Sequence, residues 1–341
     1  MKRSIWSIAA ALVILTCLSC QCMAQDKQVD LKLSTWVPPQ HPVNPALQAW
    51  ADDIKRESKG TIASHLFTSE QLGKAFDHYD MARDGIVDLA WVVPGGTPGR
   101  FPIVALADIP FQLSNAKGGS AAVDAWYRQY AAKEMKDVHF CLAFVHDPGT
   151  FHSKKKLTVP NDVRGTKVRP ANGTIAHFVT LLGGNNVQGS PSQARDMLER
   201  GVADSITFPY GTVVLFGIDK ITKFHMDLPL YETTFVWVMN KSKYEAMSPG
   251  QKKVIDDHCT TAWAEKIATP WADFEAAARE TLRADPGQNV YKLTPEQVTQ
   301  WRKAAQPLQA EWAESVKKRG ENADAIANSL KQTLTTYKAN Y

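Results

Sequence analysis

The sequence predicts an α/β protein built from two domains. Apolar runs typical of strands alternate with amphipathic helical segments through the first two thirds of the chain, which is the pattern of α/β folds. One such run, residues 87–93, is apolar except for Asp88, as expected for a parallel strand covered on both faces. The length of 341 residues exceeds what one hydrophobic core usually supports, so two domains are expected.

The amino terminus has the pattern of a cleaved secretory signal peptide, residues 1–24. Lys2 and Arg3 precede an apolar run at 5–18, and small residues lead to a predicted cleavage after Ala24. The run is shorter than the roughly 20 residues that span a bilayer. An uncleaved anchor, or a lipid anchor on one of the three cysteines of this segment, is the alternative. We therefore expect export to the periplasm.

The strands and helices follow in order from hydrophobic periodicity and turn residues. Alternating or continuous apolar runs predict strands at 29–36, 61–67, 87–93, 138–145, 167–170, 203–208 and 235–240. Helical spacing of apolar residues predicts helices at 46–58, 70–85, 174–183 and 190–201.

The final third is predicted to be helical. Capping boxes begin at Ser248 and at Thr294, each with proline at the first helical position. Pro270 falls inside the first long helical pattern and predicts a kink there.

Charge and cysteine content limit the class of protein. The formal charge of +4 includes Lys2 and Arg3, so removal of the signal peptide leaves about +2, which argues against a nucleic-acid partner. Two cysteines then remain, Cys141 and Cys259. An oxidising compartment permits a disulfide between them, and two buried free thiols are the alternative.

Catalytic and metal-binding motifs are missing from the sequence. It contains no G-x-S-x-G, Walker, G-x-G-x-x-G or H-E-x-x-H motif. His146 and His152 lack the spacing of a helical metal site. We therefore expect no catalytic residues, no metal and no cofactor.

Polar and aromatic residues follow the predicted strands. They are Trp36, Trp91, the segment from His146 to His152, the pair Arg169 and Asn172, and Phe208. Ligands of open α/β sheets bind beyond the carboxyl ends of strands. A guanidinium, imidazole and amide donors and aromatic faces together suit a small organic anion. Each residue also has a structural alternative: a solvated or structural arginine, a turn-forming asparagine, and tryptophans packed in the core.

Several blocks of the sequence resemble the substrate-binding proteins of tripartite ATP-independent periplasmic (TRAP) transporters, the DctP-type family. The blocks run in family order from about residue 29 to 260: "DLKLSTWVPPQHP", "EQLGKAFDHYDMARDGIVDLAW", "PGRFP", "ALADIPF", "VPNDVRGTKVRPANG", "GSPSQARDMLERGVADS" and "VWVMNKSKYEAMSPGQKKVID". The resemblance implies a two-domain clamshell with crossing hinge strands and a long helix that spans both domains. It predicts domain I at 28–148 plus 233–273, and domain II at 149–232 plus 274–341. It also implies a monomer that delivers its ligand to TRAP membrane permease subunits.

The resemblance also implies roles for individual residues. Arg169 falls on the family arginine that pairs with the substrate carboxylate, and Asn172 on a frequent ligand contact. Trp36 and Phe208 lie in loops that often contact ligand. Many members carry a second arginine shortly after the glycine equivalent to Gly149.

This chain has Phe151 and His152 at that place, and Phe208 where sialic-acid-type members have asparagine. These exchanges favour a small monocarboxylate with an apolar or aromatic group, contacted by Arg169, Asn172, Trp36, His152, Phe208, Trp91, Phe151 and His146. A sulfonate ligand, a ligand-sensing role and a secreted α/β enzyme are the alternatives.

Overall fold

The computed structural model describes residues 26–341, so the predicted signal peptide lies outside the described residues. The strands are β1 (Val29–Ser34), β2 (Ile62–Phe67), β3 (Leu89–Val92), β4 (Val138–Val145), β5 (Thr150–Ser153), β6 (Lys167–Arg169), β7 (Asn185–Asn186), β8 (Ser205–Phe208), β9 (Phe224–Met226), β10 (Thr234–Asn240) and β11 (Asn289–Tyr291). The helices are α1 (Val43–Glu57), α2 (His78–Arg83), α3 (Ala116–Glu134), α4 (Gly173–Leu181), α5 (Ala194–Glu199), α6 (Tyr210–Leu215), α7 (Lys241–Glu245), α8 (Pro249–His258), α9 (Thr261–Ala284), α10 (Pro295–Lys317) and α11 (Ala323–Thr336).

The predicted strands are all present, as β1 to β4, β6, β8 and β10, and both capping boxes are confirmed. Ser248 accepts a hydrogen bond from the backbone N–H of Gln251 at the start of α8. Thr294 does the same for Gln297 at the start of α10.

The helix predicted at 70–85 is wrong over its first turns. Ser69 and Glu70 have positive φ angles of 56° and 58°, so a right-handed helix cannot begin there. The Glu70 side chain instead accepts a hydrogen bond from the backbone N–H of Ala75. A short 3₁₀ turn at Ala75–Asp77 then leads into α2.

The sequence pattern also misses helix α3 and the short strands β5, β7, β9 and β11. Residues 119–124 of α3 are all buried, so the helix has no polar face with a recognisable period. Segment 146–152, treated above as one loop, divides into a short crossing connection and β5.

A five-stranded sheet forms the core of the first half of the molecule, in the order β2-β1-β3-β10-β4. β1 runs parallel to β2 and β3, and β10 runs antiparallel to β3 and β4. One face packs with α1, α8 and α9 around Trp50 and Trp237, and the other packs with α2 and α3 around Trp126.

A six-stranded sheet organises the second half, in the order β11-β9-β5-β8-β6-β7. One face packs with α4 and α10 around Phe178 and Trp301. The other face packs with α5 and α6 around Leu198 and Ile206.

Two short segments cross between the two sheets, from β4 to β5 and from β9 to β10, and the chain crosses a third time through α9 on its way from β10 to β11. The crossing segments pair with each other, because the N–H of Gly149 donates to the carbonyl of Tyr231 at 2.8 Å. A β-carbon on Gly149 would lie 2.8 Å from the Tyr231 hydroxyl oxygen, so glycine is needed for this approach. The two-domain α/β architecture with crossing strands is thus confirmed.

The long helix α9 joins the two halves. It packs against α1 and α3 on one side and against α6 on the other. Its Glu275 carboxylate accepts hydrogen bonds from Trp271 Nε1 at 2.7 Å and from the Thr212 hydroxyl at 2.8 Å. Pro270 lies within α9, which continues through it; the kink stays a prediction.

A disulfide joins Cys141 of β4 to Cys259, which ends α8; their Cα atoms are 4.5 Å apart. The bond closes a loop with a sequence separation of 118 residues within the first half of the molecule. Of the two alternatives open from the sequence, the structure has the disulfide.

The carboxyl-terminal helix α11 packs against α3, beside the five-stranded sheet. Trp126 of α3 donates to the carbonyl of Ile326 at 3.1 Å, and Asn340 pairs with Leu113. These contacts group residues 323–341 with domain I, although the sequence-based limits place them in domain II. The other domain limits stay a prediction.

Across residues 26–341 there is no helix with both the length and the apolar character needed to cross a bilayer.

Candidate ligand-binding site

An apolar cavity lies between the two sheets, where loops from both halves meet. The cavity has a volume of about 450 Å³, including its opening. Its wall is formed by Trp36, Val37, His41, Phe76, Val93 and His146 from the first half, Ala171, Pro191, Phe208, Pro209, Thr212 and Phe216 from the second, and Thr233, Phe235 and Trp271.

Aromatic rings form much of the wall. Trp36 stacks on Trp91 with ring centroids 4.4 Å apart and 9° between the planes. Its indole N–H donates to the backbone carbonyl of Trp91 at 3.2 Å, which fixes the ring. Trp36 thus lines the cavity, whereas Trp91 lies behind it in the core.

Arg169 is fully buried at the carboxyl end of β6, beside the cavity. Its Nε and Nη2 atoms donate to the carbonyl of Gly189 at 3.1 and 3.0 Å. Its Nη1 atom is buried and has no hydrogen-bond partner, and no carboxylate of residues 26–341 forms an ion pair with it. Burial lowers the pKa of Arg169 to about 10, so the side chain is still a cation at neutral pH.

Phe208 connects this cation to the cavity. Its ring is part of the wall, and the guanidinium carbon of Arg169 lies 4.8 Å from the ring centroid. Tyr231, in the second crossing segment, adds a buried hydroxyl without a partner. Burial raises the pKa of Tyr231, and the side chain of Thr207 and then the charge of Arg169 oppose that shift. The Tyr231 hydroxyl is therefore a neutral donor near the guanidinium.

Asn172 caps helix α4 and also bonds to Thr233, so both ends of its amide make hydrogen bonds. Its Oδ1 accepts from the N–H of Ile175 at 2.9 Å, and its Nδ2 donates to the Thr233 hydroxyl at 3.1 Å. Thr233 lines the cavity, so Asn172 positions a wall residue.

The His146 ring is part of the wall, but both of its nitrogens are used. Nδ1 donates to the carbonyl of Asp147 at 2.6 Å, and Nε2 accepts from the N–H of Thr233 at 3.1 Å. Burial lowers the pKa of His146 to about 4, so the ring is neutral. It can offer a ligand only its face or edge.

His152 and Phe151 do not line the cavity. His152 Nε2 donates to the carbonyl of Phe208 at 2.9 Å, and Nδ1 bonds to His225 at 2.8 Å. Burial lowers the pKa of His152 well below its usual value. Phe151 points to the opposite face of its sheet, where its ring lies 5.5 Å from that of Trp301. Alternation along β5 separates the two side chains.

Several wall residues are absent from the sequence-based set: His41, Phe76, Phe216, Thr233, Phe235 and Trp271. His41 lies in the proline-rich loop after β1, so its place after a strand was a usable signal. Trp271 lies in the middle of a long helix, and only packing brings it to the cavity.

The assembled site has a buried cation at one end, apolar aromatic walls and a few neutral polar groups. Such a site can hold a small anion with a flat apolar body. No cluster of metal-ligating side chains occurs among residues 26–341.

Comparisons with known proteins agree with this description. The pattern of the family "Bacterial extracellular solute-binding protein, family 7" matches residues 33–315. A TRAP solute-binding protein from Rhodoferax ferrireducens, crystallised with copurified benzoate, is similar with a TM-score of 0.86 and 28% identity, covering 91% of this chain and 99% of that one. A marine metagenome TRAP solute-binding protein in complex with 3-hydroxybenzoate is similar with a TM-score of 0.85 and 30% identity, covering 91% and 99%.

The outer membrane transporter protein TsaT of Comamonas testosteroni is 24% identical over 307 residues, 88% of this chain and 90% of that protein. Together with the crossing strands and the cavity between two α/β halves, the family match identifies the chain. It belongs to the bacterial extracellular solute-binding proteins of family 7.

Proposed function

We propose that this protein binds a small aromatic monocarboxylate in the cavity between its two domains. The observation that supports it best is Arg169, a buried guanidinium with a free Nη1 and no carboxylate partner. A buried unpaired charge is costly, and a bound anion removes that cost. The ligand carboxylate would accept from Nη1 and from the Tyr231 hydroxyl.

The walls support an aromatic body for the ligand. A ring packed against Phe208 and Trp36 would replace water on apolar surface, and its carboxylate would then lie near Arg169. A sugar acid would bring hydroxyl groups that these walls leave without partners. The structural relatives that hold benzoate and 3-hydroxybenzoate support the same ligand class.

The proposed ligand contacts differ from the sequence-based set. Arg169, Trp36, Phe208 and His146 are retained, with Asn172 and Trp91 as positioning residues. His152 and Phe151 are left out, because hydrogen bonds occupy both nitrogens of His152 and Phe151 packs in the core.

We further propose that the exported, mature protein is a monomer that delivers this acid to TRAP permease subunits for ion-driven uptake. It has no catalytic role in this proposal. Uptake of radiolabelled benzoate into vesicles that contain the cognate permease should depend on the added protein. Binding without any stimulation of uptake would favour a ligand-sensing role.

Calorimetry with benzoate tests the binding proposal. The mature protein should bind benzoate, and Arg169→Gln should weaken binding by at least about a hundredfold, since the charged hydrogen bond is lost. Arg169→Lys should restore only part of the affinity, because lysine cannot reproduce the planar guanidinium. Arg164→Gln, at an exposed arginine of the same loop region, is the matched control and should bind normally.

Wild-type affinity in a folded Arg169→Gln variant would contradict the assignment of the anion site. Preference for benzenesulfonate over benzoate would keep Arg169 as the anion partner but change the ligand class.

A further inference from the structure

His41 differs from the other polar residues of the cavity wall in having an unused donor. Its Nδ1 atom accepts a hydrogen bond from the backbone N–H of Val43 at 3.2 Å. A neutral imidazole that accepts at Nδ1 carries its proton at Nε2. Nε2 has no partner among residues 26–341, and the side chain is on the cavity wall.

The loop holds this ring in one orientation. The N–H of His41 donates to the carbonyl of Pro38 at 2.9 Å, and Asn44 Nδ2 donates to the same carbonyl at 2.8 Å. The imidazole packs edge-to-face with Trp271, with ring centroids 4.7 Å apart, and the ring of Trp91 lies at 5.8 Å. The donor is therefore positioned before any ligand arrives.

The other polar groups on the first-domain side of the wall are already bonded. Trp36 Nε1 donates to a backbone carbonyl, Trp271 Nε1 donates to Glu275, and both nitrogens of His146 are used. Within the described part of the chain, His41 Nε2 is thus the free nitrogen donor on this part of the wall. The Thr233 hydroxyl accepts from Asn172 Nδ2 and keeps its own hydrogen free.

The places of His41 and Arg169 in the fold indicate how a ligand would be oriented between them. His41 follows β1 of the five-stranded sheet, whereas Arg169 ends β6 of the six-stranded sheet, and the cavity lies between. A ligand whose carboxylate is held by Arg169 would present the far edge of its ring to the first domain.

We propose that His41 selects ligands by donating its Nε2–H to an oxygen substituent on the ring of a bound aryl carboxylate. A hydroxyl or methoxy group on the edge of the ring away from the carboxylate would accept this hydrogen bond. The inference rests on the proposed function. It narrows the preferred ligands to aromatic acids that carry an oxygen substituent on the ring. Burial, together with nearby His146, lowers the pKa of His41 to about 3, so the donor stays neutral throughout the physiological range.

Selectivity follows from the cost of leaving a buried donor without a partner. A methyl group fills the same space as a hydroxyl group but leaves Nε2–H unbonded, and sites built to bond a hydroxyl reject such analogues. We expect the wild type to bind the better of 3- and 4-hydroxybenzoate at least about tenfold more tightly than the methylbenzoate with the same substitution position.

Three variants separate the donor from the structural role of the ring. His41→Asn keeps an acceptor near the Nδ1 position for the Val43 N–H but removes the donor. His41→Phe removes both, and His41→Gln can place an amide N–H near the Nε2 position. In the His41→Asn and His41→Phe variants, the dissociation constants for the hydroxy and methyl acids should be nearly equal. His41→Gln should restore part of the preference for the hydroxy acid. Benzoate affinity is measured in every variant as the reference, so that a general loss of wall contacts is separated from a loss of the hydroxy preference.

A second measurement does not depend on any variant. The nitrogen-15 signals of the His41 ring, in NMR spectra of the wild type, should report a proton on Nε2. They should shift more on addition of the preferred hydroxybenzoate than of its methyl analogue. The hydroxy preference should also stay constant between pH 5.5 and 8.

The failures of the two proposals are distinguishable. If the wild type binds no aryl carboxylate, the proposed function is wrong and this inference with it. If it binds hydroxy and methyl acids equally, or if His41→Asn keeps the full preference, only the role of His41 is wrong.

Discussion

At the scale of residues, what a side chain can do is set by which of its atoms are already bonded. Arg169 and His41 each have a side-chain nitrogen without a hydrogen-bond partner, whereas every side-chain nitrogen and oxygen of His146, His152 and Asn172 already makes a hydrogen bond. Residue type alone does not distinguish these cases, since imidazole and amide groups have the same capacity everywhere. The candidate site is therefore defined by unpaired atoms and not by the number of polar residues.

The two phenylalanines of the sequence-based set provide a matched test. Phe208→Leu should weaken benzoate binding by about tenfold, because the ring lines the cavity and contacts Arg169. Phe151→Leu should change affinity by less than twofold but lower the free energy of unfolding by roughly 1 kcal/mol, because it is a core residue. Calorimetry and urea denaturation measure the two effects. Equal losses of affinity would contradict the placement of Phe151.

At the scale of elements, local sequence signals predicted most of the longer strands and helices. The capping boxes of α8 and α10 are complete within four residues, so no distant contact is needed to recognise them. Helix α3 and strand β5 were missed for the opposite reason. α3 is buried on more than one side, and β5 is four residues long, so neither shows a clear period.

The disulfide links two elements that the sequence places far apart. Replacing both Cys141 and Cys259 with alanine should lower the free energy of unfolding by about 2–5 kcal/mol, because a long loop is released in the unfolded chain. Benzoate affinity should stay within about twofold, since neither cysteine lines the cavity. Denaturation of the oxidised wild type and the double variant measures the effect. A variant as stable as the oxidised wild type would contradict a stabilising bond.

At the scale of the whole molecule, several acidic side chains are buried where the two halves meet. Burial raises the pKa of Asp108 to about 7 and that of Glu275 to about 7, and it raises the pKa of Glu232 well above its usual value. Asp108 accepts from the N–H of Thr234 at the start of β10 at 2.8 Å, next to the second crossing segment. We therefore expect the stability of the junction between the halves to depend on pH.

Asp108→Asn should change the pH dependence of stability in a defined direction. The pKa of folded Asp108 is about 7, so it keeps its proton up to that pH, whereas the unfolded carboxyl releases its proton near the ordinary pKa of 3.8. Between these values the folded state binds more protons, so this group's stabilising contribution is lost as pH rises. The asparagine variant has no such loss, and its amide oxygen can still accept from Thr234.

The free energy of unfolding of the variant, relative to wild type, should therefore rise from pH 4.5 to 7.5. The slope of this rise can be at most about 1.4 kcal/mol per pH unit. Urea denaturation at four pH values measures it, with exposed Asp137→Asn as the control. The buried histidines change stability with pH in the opposite direction. Because they do so equally in both proteins, their effect cancels in the difference. A difference that stays constant with pH would contradict the burial of Asp108 as a protonated acid.

The sequence by itself determined the fold class, most strands, the starts of α8 and α10 and the arginine at the end of β6. These depend on periodicity and on capping, which are complete within a few neighbouring residues. The resemblance to TRAP substrate-binding proteins added the arrangement of the two domains.

Only the tertiary structure decided which face Phe151 occupies and which donors remain free. It also placed α11 beside α3 and brought His41, Thr233 and Trp271 to one cavity. These properties depend on contacts between residues up to about two hundred positions apart, as in the bond from Trp126 to Ile326 with a separation of 200. A local pattern does not contain that information, because the partner of each atom is fixed only when the whole chain packs.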